Sequence, residues 1–278
     1  MEYQYTDEEL SRLHDTLYDI LHETIRVCHK LNIRYFIIGG TCIGAFFWKG
    51  IIPWDDDIDI GMTREDYDRF LAEAPAELGK DYFLQWYKTD RHAPFFFAKV
   101  RKHNTLFLES MFSRVPMHHG IFVDVFPFDK VPRSRTAEKI QFHAMGFLNA
   151  CFIAKEVWQY KWCGKCEVPE PRPRGFVPCL MTRITNAVLP KSAIYRLMTG
   201  IQTMFNGCGA DRYNLMSTDC DHISVGSINN LQTMTFGPLE VAAPADVETY
   251  LNNHYPGLQK YPPVEQRKTH RPARLDFG

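Results

Sequence analysis

The stretch Ile51-Ile52-Pro53-Trp54-Asp55-Asp56-Asp57-Ile58-Asp59-Ile60 decides how this chain is read. Strand side chains alternate between two faces, so Asp57 and Asp59 project together while Ile58 and Ile60 turn toward a core. Two carboxylates side by side on a strand repel each other unless a cation lies between them. Mg²⁺, or Mn²⁺ in its place, is a hard ion that takes oxygen ligands and keeps substrate phosphates in its shell. A solvated acidic loop accounts for Asp55 and Asp56, but not for alternation that continues into an apolar strand. A calcium loop of the helix-loop-helix type is excluded. Its obligatory glycine position holds Ile60, and its twelfth position holds Asp66 rather than Glu.

Two further features converge on this run. Upstream, the apolar run Arg34–Ile38 predicts a strand that ends at Gly39-Gly40-Thr41, followed by a short helix to Trp48. Glycines at a strand-to-helix turn let a phosphate approach the backbone, and the helix start offers unpaired N–H groups. Downstream, Gly120-Ile121-Phe122-Val123-Asp124-Val125-Phe126 carries one charge inside an apolar strand. Such a charge is costly unless paired or bound to metal. It can equally be an edge-strand carboxylate facing water. A third carboxylate from an adjacent strand is what a two-metal phosphoryl-transfer site requires.

The rest of the pattern predicts an α+β fold: a mixed sheet built by the first half, with a helical subdomain over about 135–206. Apolar residues from Leu10 to Cys28 recur at steps of three and four, which predicts a helix over 6–31. Thr6 with Glu9 opens it as a capping box, and Asn32 closes it. Strands are expected over 58–62, 82–86, 95–101, 105–109 and 120–126, and in the tail over 234–236 and 239–243. Thr63 with Asp66 caps a further helix, and another helix runs over 246–254. Pro169, Pro171, Pro173 and Pro178 mark a connection between two helices. The whole of 1–278 reads as a single catalytic domain.

Composition narrows the function classes. With 45% hydrophobic residues in 278, the chain can bury a core without disulfides. A net charge of −1 argues against general affinity for nucleic acid. The N-terminus lacks the basic start and apolar stretch of a signal peptide, and no run is long enough to span a bilayer. The expectation is a soluble, cytoplasmic protein. Cys163-Gly164-Lys165-Cys166 is a CxxC pair, but a zinc site needs two more ligands, so Cys163 and Cys166 read first as loop thiols.

The residues Gly39-Gly40-Thr41, Gly44-Ala45, Lys49-Gly50 and the run through Ile60 resemble the signature of the LicD family. These include bacterial phosphorylcholine transferases and the fukutin-related enzymes. Lys99-Val100-Arg101, Asn104-Thr105, Glu109 and the Gly120–Pro127 strand extend the resemblance. Phe236-Gly237, Tyr250-Leu251, Tyr255, Pro262-Pro263 and His270 continue it sparsely. The resemblance implies a nucleotidyltransferase-like core over about 20–130. It implies a phosphotransferase that moves a phospho-alcohol from a CDP-linked donor to a hydroxyl of a glycan. By position, Asp57, Asp59 and Asp124 would hold the metal. Gly39, Gly40, Thr41, Lys49, Lys99, Arg101 and His270 would contact substrate. Lys99 and Arg101 also fit as outward-facing strand residues, and His270 as an inert tail histidine. It leaves room for peripheral contact with a lipid-linked acceptor. For a choline-bearing donor, Trp86, Trp158, Tyr160 and Trp162 are the aromatic candidates. One departure stands out: where family members often carry Arg before the Lys-Gly pair, this chain has Phe47. Two other enzyme readings use the same carboxylates, namely nucleotidyl transfer from an NTP and Asp-x-Asp glycosyl transfer.

Overall fold

The computed structural model describes residues 4–163, 189–216, 222–267 and 269–278, with backbone alone for 158–163 and 266. The chain opens with α1 (Asp7–Leu31). Its Thr6 side chain accepts from the Glu9 amide while Glu9 reaches back to the Thr6 amide, and Asn32 ends it in the left-handed conformation. That helix lies against the sheet and buries Leu13, Leu17, Ile20 and Leu21.

The sheet is mixed. Its main path runs β1 (Phe36–Ile37), β2 (Asp59–Thr63), β6 (Phe122–Lys130), β4 (Ala98–Lys102) and β3 (Tyr82–Gln85). β5 (Leu106–Leu108) lies off that path and pairs with β11 (Arg274–Asp276). Among the described residues, β2 and β6 run parallel and the other pairs are antiparallel. α2 (Gly39–Trp48) follows β1 directly, and α3 (Arg64–Glu73) follows β2. Thr63 is the N-cap of α3, but its hydroxyl donates to the Asp66 carboxylate at 3.0 Å instead of capping an amide. Gly61 is fixed by packing, since a Cβ there would lie 2.6 Å from the Phe36 ring and 2.8 Å from that of Phe128.

The long strand β6 is the hub of the sheet. Its first half pairs with β4, and its end pairs with β7 (Arg212–Asn214), which pairs with β8 (His222–Ser224). The predicted helical segment is α4 (Arg135–Cys163) and α5 (Lys191–Thr203), which pack on each other around Met145, Phe152, Ile194 and Met198. Buried Asp129 at the end of β6 ties this pair to the sheet. It accepts from Arg64 Nε at 3.0 Å and from Asn206 at 2.7 Å. Glu138 of α4 pairs with Arg212 and His222 in the same way. Pro169, Pro171, Pro173, Pro178 and Cys166 lie outside the described residues, as do the side chains of Trp158, Tyr160, Trp162 and Cys163.

The tail adds α6 (Val225–Asn229), the hairpin β9 (Gln232–Phe236) and β10 (Leu239–Ala243), and α7 (Val247–His254). The fold is therefore α+β, as expected. β7, β8 and β11 are strands of three residues that no periodicity in the sequence announces. Among the described residues, no helix is long and apolar enough to cross a membrane.

A candidate metal and phosphate site at the β2–β6 seam

Register builds the site. Asp59 on β2 is the Cα partner of Asp124 on β6, and Asp124 is in turn the partner of Lys99 on β4. Residues paired across neighbouring strands project to one face. Three adjacent strands thus carry a row of two carboxylates and one ammonium. Asp57 lies just before β2, and its charge acts on both Asp59 and Asp124. The Thr41 hydroxyl accepts from the Asp59 amide at 2.8 Å, which fixes the start of β2 against the first turn of α2.

The glycine turn meets the acidic run directly. Gly39 has φ +51°, and a Cβ placed on it would lie 3.5 Å from Asp59 Oδ2 and 3.8 Å from the Tyr255 hydroxyl. A Cβ on Gly40 would come within 2.9 Å of Asp55 Oδ2. Ile38, the N-cap of α2, supplies no side-chain acceptor for the first-turn amides. The Gly39 amide donates to the Tyr250 hydroxyl at 3.0 Å. The positive end of the α2 dipole therefore faces carboxylates across a gap that only glycines leave open.

The electrostatics are those of a crowded acidic cluster with fewer cations than carboxylates. Burial pushes the Asp59 carboxyl well above its ordinary range, and repulsion from Asp57 and Asp124 adds to it. Asp55 is pushed up in the same way by burial and then by Asp57 and Asp56. Burial takes Asp124 to about 6 against the pull of Lys99. Lys99 Nζ lies 2.9 Å from Asp124 Oδ1 and 3.1 Å from Oδ2, and the well-aligned hydrogen bond goes to Oδ2. Asp124 Oδ1 is left buried without one. The chemistry of Asp57, Asp59 and Asp124, all carboxylate oxygens with one orphaned, suits a hard divalent cation, but their oxygens are not gathered within 4.8 Å of one another.

A second trio, Asp56, Asp57 and His270, has ligand atoms within 4.8 Å of one another. Its chemistry is different. Asp56 Oδ2 accepts from the Tyr5 hydroxyl at 2.7 Å and from the amides of His270 and Arg271 at 3.0 and 2.9 Å. His270 Nδ1 lies 3.1 Å from Asp57 and 3.4 Å from Asp56. Hydrogen bonds to Asp56 and Asp57 push this imidazole up to about 11, so it is a cation at neutral pH. Burial raises Asp56, but bonds from His270 and Tyr5 outweigh it and hold the carboxyl below its ordinary value. This trio pins the tail to the acidic loop, and the Asp56 carboxylate is already used in doing so.

The other expected contacts are sorted by burial. Lys99 is 2% exposed, its ammonium 3.4 Å from the Phe122 ring centroid. Arg101 is fully buried; it donates to the Gly120 carbonyl at 2.6 Å, to Gln85, and to Glu109 at 3.5 Å. Neither is the outward-facing strand residue that alternation allows. Arg101 has no surface for a phosphate to reach, and Lys99 holds Asp124. Lys49 is exposed at the far end of α2, roughly 15 Å along the axis from Gly39. Its carbonyl, not its ammonium, is engaged, accepting from Gly237 at 2.6 Å. Phe47 stands edge-on to Phe46 and Trp48, so this position carries aromatic surface in place of a cation. Trp86 is half-buried and packs against Tyr87 and Tyr195. Sequence reasoning missed Asp55 beside Gly40, Tyr255 beside Gly39 and Glu109 beside Lys99, all brought together by tertiary contacts.

Residues 32–156 match the family described as LicD/FKTN/FKRP, nucleotidyltransferase domain. A lipopolysaccharide cholinephosphotransferase LicD of Haemophilus influenzae is 36% identical over 108 residues, covering 38% of this chain and 39% of that protein. An uncharacterised protein of Rickettsia typhi is 46% identical over 60 residues, covering 22% of this chain and 19% of its own. The human ribitol 5-phosphate transferase FKRP is 38% identical over 63 residues, covering 21% and 13%. The chain thus spans about two fifths or less of the length of the curated relatives it matches. The matched region contains α2, β2, β4 and β6, the elements that carry Asp57, Asp59, Asp124 and the glycine turn.

Proposed function

We propose that this chain, whose residues 32–156 match the LicD family, is a phosphotransferase that moves a phospho-alcohol onto a glycan hydroxyl. The donor we assign is a CDP-alcohol, and the site works with Mg²⁺ or Mn²⁺ held by Asp57, Asp59 and Asp124. The observation that carries the proposal is the Asp59–Asp124 register, which sets two carboxylates side by side against the glycine turn. The named activities of two relatives, cholinephosphotransfer and ribitol 5-phosphate transfer, share the transfer of a phosphate-linked alcohol.

In the reaction we propose, the acceptor oxygen attacks the donor's β-phosphorus, and the bond to the CMP oxygen breaks in line. A divalent ion supplies charge neutralisation on the pyrophosphate when bound. The residues of the chain do the rest. The first turn of α2 presents amides and a positive dipole end to the donor phosphates, and Gly39 and Gly40 let them approach. Lys99 keeps Asp124 in its place in the row, and Thr41 does the same for Asp59. Asp124 is the carboxylate placed to take the acceptor's proton.

The domain's description as a nucleotidyltransferase supports a second reading, attack at the α-phosphorus of an NTP. The released product separates the two. A screen of CDP-alcohols with a hydroxyl acceptor, with and without divalent ion, should give ion-dependent CMP. Pyrophosphate from CTP or another NTP, with no CMP from any CDP-alcohol, would replace our reading with the second.

A further inference from the structure

The helical pair α4 and α5 presents a surface unlike the rest of the molecule. Ile140, Phe147, Leu197 and Met204 are four of the nine large apolar side chains exposed among the described residues, and each is more than half exposed. All four lie on these two helices, Met204 as the cap that ends α5. Ile140 and Phe147 are seven residues apart, as are Leu197 and Met204, so each pair forms one line two turns long.

The two lines meet along the seam between the helices. Gln141 donates to the Ile201 carbonyl at 2.7 Å, Met145 shares a buried cluster with Met198, and Lys191 reaches Glu156 at 2.9 Å, so the helices run antiparallel. Leu197 stands one turn before Ile201, and Met204 one turn after it, on the flank of α5 that meets α4. Phe147 stands one turn before Cys151, which packs on the cluster the helices share. The opposite flank of α4 carries Ile153 and Val157, which pack on a separate cluster with Phe95 and Phe112.

Charge on this pair has one sign. The acids among its described side chains are Glu138 and Glu156, both buried. Glu138 is paired with Arg212 and His222, and Glu156 with His92 and Lys191. The charges that face water are Arg135, Lys139 and Arg196. A chain of net charge −1 thus gathers cations around an exposed apolar seam. Cations beside protruding apolar side chains complement an anionic lipid surface, where headgroups draw the cations and the apolar groups enter the acyl boundary. A bilayer is fluid and needs no cavity to receive them. A second copy of the chain fits less well, because a two-fold contact would set these cations against themselves with no acid to pair them.

We infer that the α4–α5 face docks on an anionic membrane surface, with Ile140, Phe147, Leu197 and Met204 in the lipid and Arg135, Lys139 and Arg196 at the headgroups. The inference is independent of the transfer reaction. It concerns where the chain works, not what it moves.

Vesicle flotation of the full chain tests it, with vesicles of phosphatidylcholine alone and of equal parts phosphatidylcholine and phosphatidylglycerol. Wild type should bind the mixed vesicles roughly five-fold or more tightly than the neutral ones. Phe147→Ser with Leu197→Ser should weaken that binding by roughly ten-fold. Lys139→Gln with Arg196→Gln should remove the preference for anionic vesicles. Val264→Ser, a change at an exposed apolar residue of the tail, should leave both values unchanged. All the substituted side chains are exposed, and matching thermal melts report that the fold is kept. Wild type that floats with neither vesicle would overturn the inference, as would binding that survives both double variants. Sedimentation equilibrium examines the other occupant. A wild-type dimer that Phe147→Ser with Leu197→Ser dissociates would give the face to a second copy and overturn the membrane assignment.

Discussion

Asp59 on β2 and Asp124 on β6 are Cα partners in the sheet's one parallel pair, and both carboxyls are raised by burial and by their acidic neighbours. Removing one charge should therefore relieve the folded chain while disabling the site. Asp59→Asn and Asp124→Asn should each lower turnover at least 100-fold. Asp59→Asn should also stabilise the metal-free chain by about 1 kcal/mol, the scale of a like-charge contact near a surface, whereas Asp124→Asn strips buried Lys99 of its partner and should not. Thermal melts check this: millimolar Mg²⁺ should raise the melting temperature of wild type by mass action and leave both variants where they were.

Lys99 is the counter-charge of the row. It is buried between Asp124 and the Phe122 ring, with Glu109 3.9 Å away. Lys99→Met leaves a buried carboxylate uncompensated and should cost about 3–5 kcal/mol in urea denaturation. Asp124→Asn on the same background should recover a large part of that loss. A double-mutant cycle with no coupling between the two positions would contradict the pairing.

Asp56 is the anchor of the tail. Its carboxylate accepts from Tyr5 and from the amides of His270 and Arg271. Asp56→Ala should destabilise the chain by about 2 kcal/mol, the cost of leaving buried donors without an acceptor. Hydrogen exchange localises the effect: the amides of His270 and Arg271 should exchange freely in the variant while those of α1 stay protected.

The fold also carries a pH dependence away from the acidic row. Burial, with help from nearby Arg101, holds His118 down at about 4. Its Nδ1 accepts from the Gly120 amide at 3.0 Å, and its Nε2 is 3.0 Å from His103 Nδ1. The unfolded chain takes up this proton near its ordinary value of 6.5, and the folded chain only near 4. This contribution is therefore complete above 6.5 and is lost as pH falls toward 4, by about 1–3 kcal/mol. Unfolding free energies between pH 7 and 4 should fall less steeply in His118→Gln than in wild type.

Much of this was legible in the sequence because it is local. The capping box of α1 and its stop at Asn32 need only neighbouring residues. The nearness of Asp57 to Asp59 follows from their spacing, and the glycine turn from Gly39-Gly40, although β2 starts only at Asp59 and so leaves Asp57 outside the strand. What remained hidden depends on pairing between distant segments. No pattern in 95–126 says that Lys99 stands opposite Asp124, or that Arg101 is fully buried. Asp55 and Asp56 look alike in sequence, yet one faces the glycine turn and the other ties down the tail. The contact of the Trp48 and Tyr261 rings joins residues over 200 positions apart. Strand ends also moved: β2 begins at Asp59, because that is where its ladder with β6 begins.

The central claim is that Asp57, Asp59 and Asp124 share a divalent ion at the β2–β6 seam. Its most direct test is calorimetric titration of Mn²⁺ into wild type, Asp59→Asn and Asp124→Asn. The account predicts saturable binding to wild type, weakened at least 100-fold in both variants. Wild-type affinity in either variant would place the ion elsewhere and contradict it.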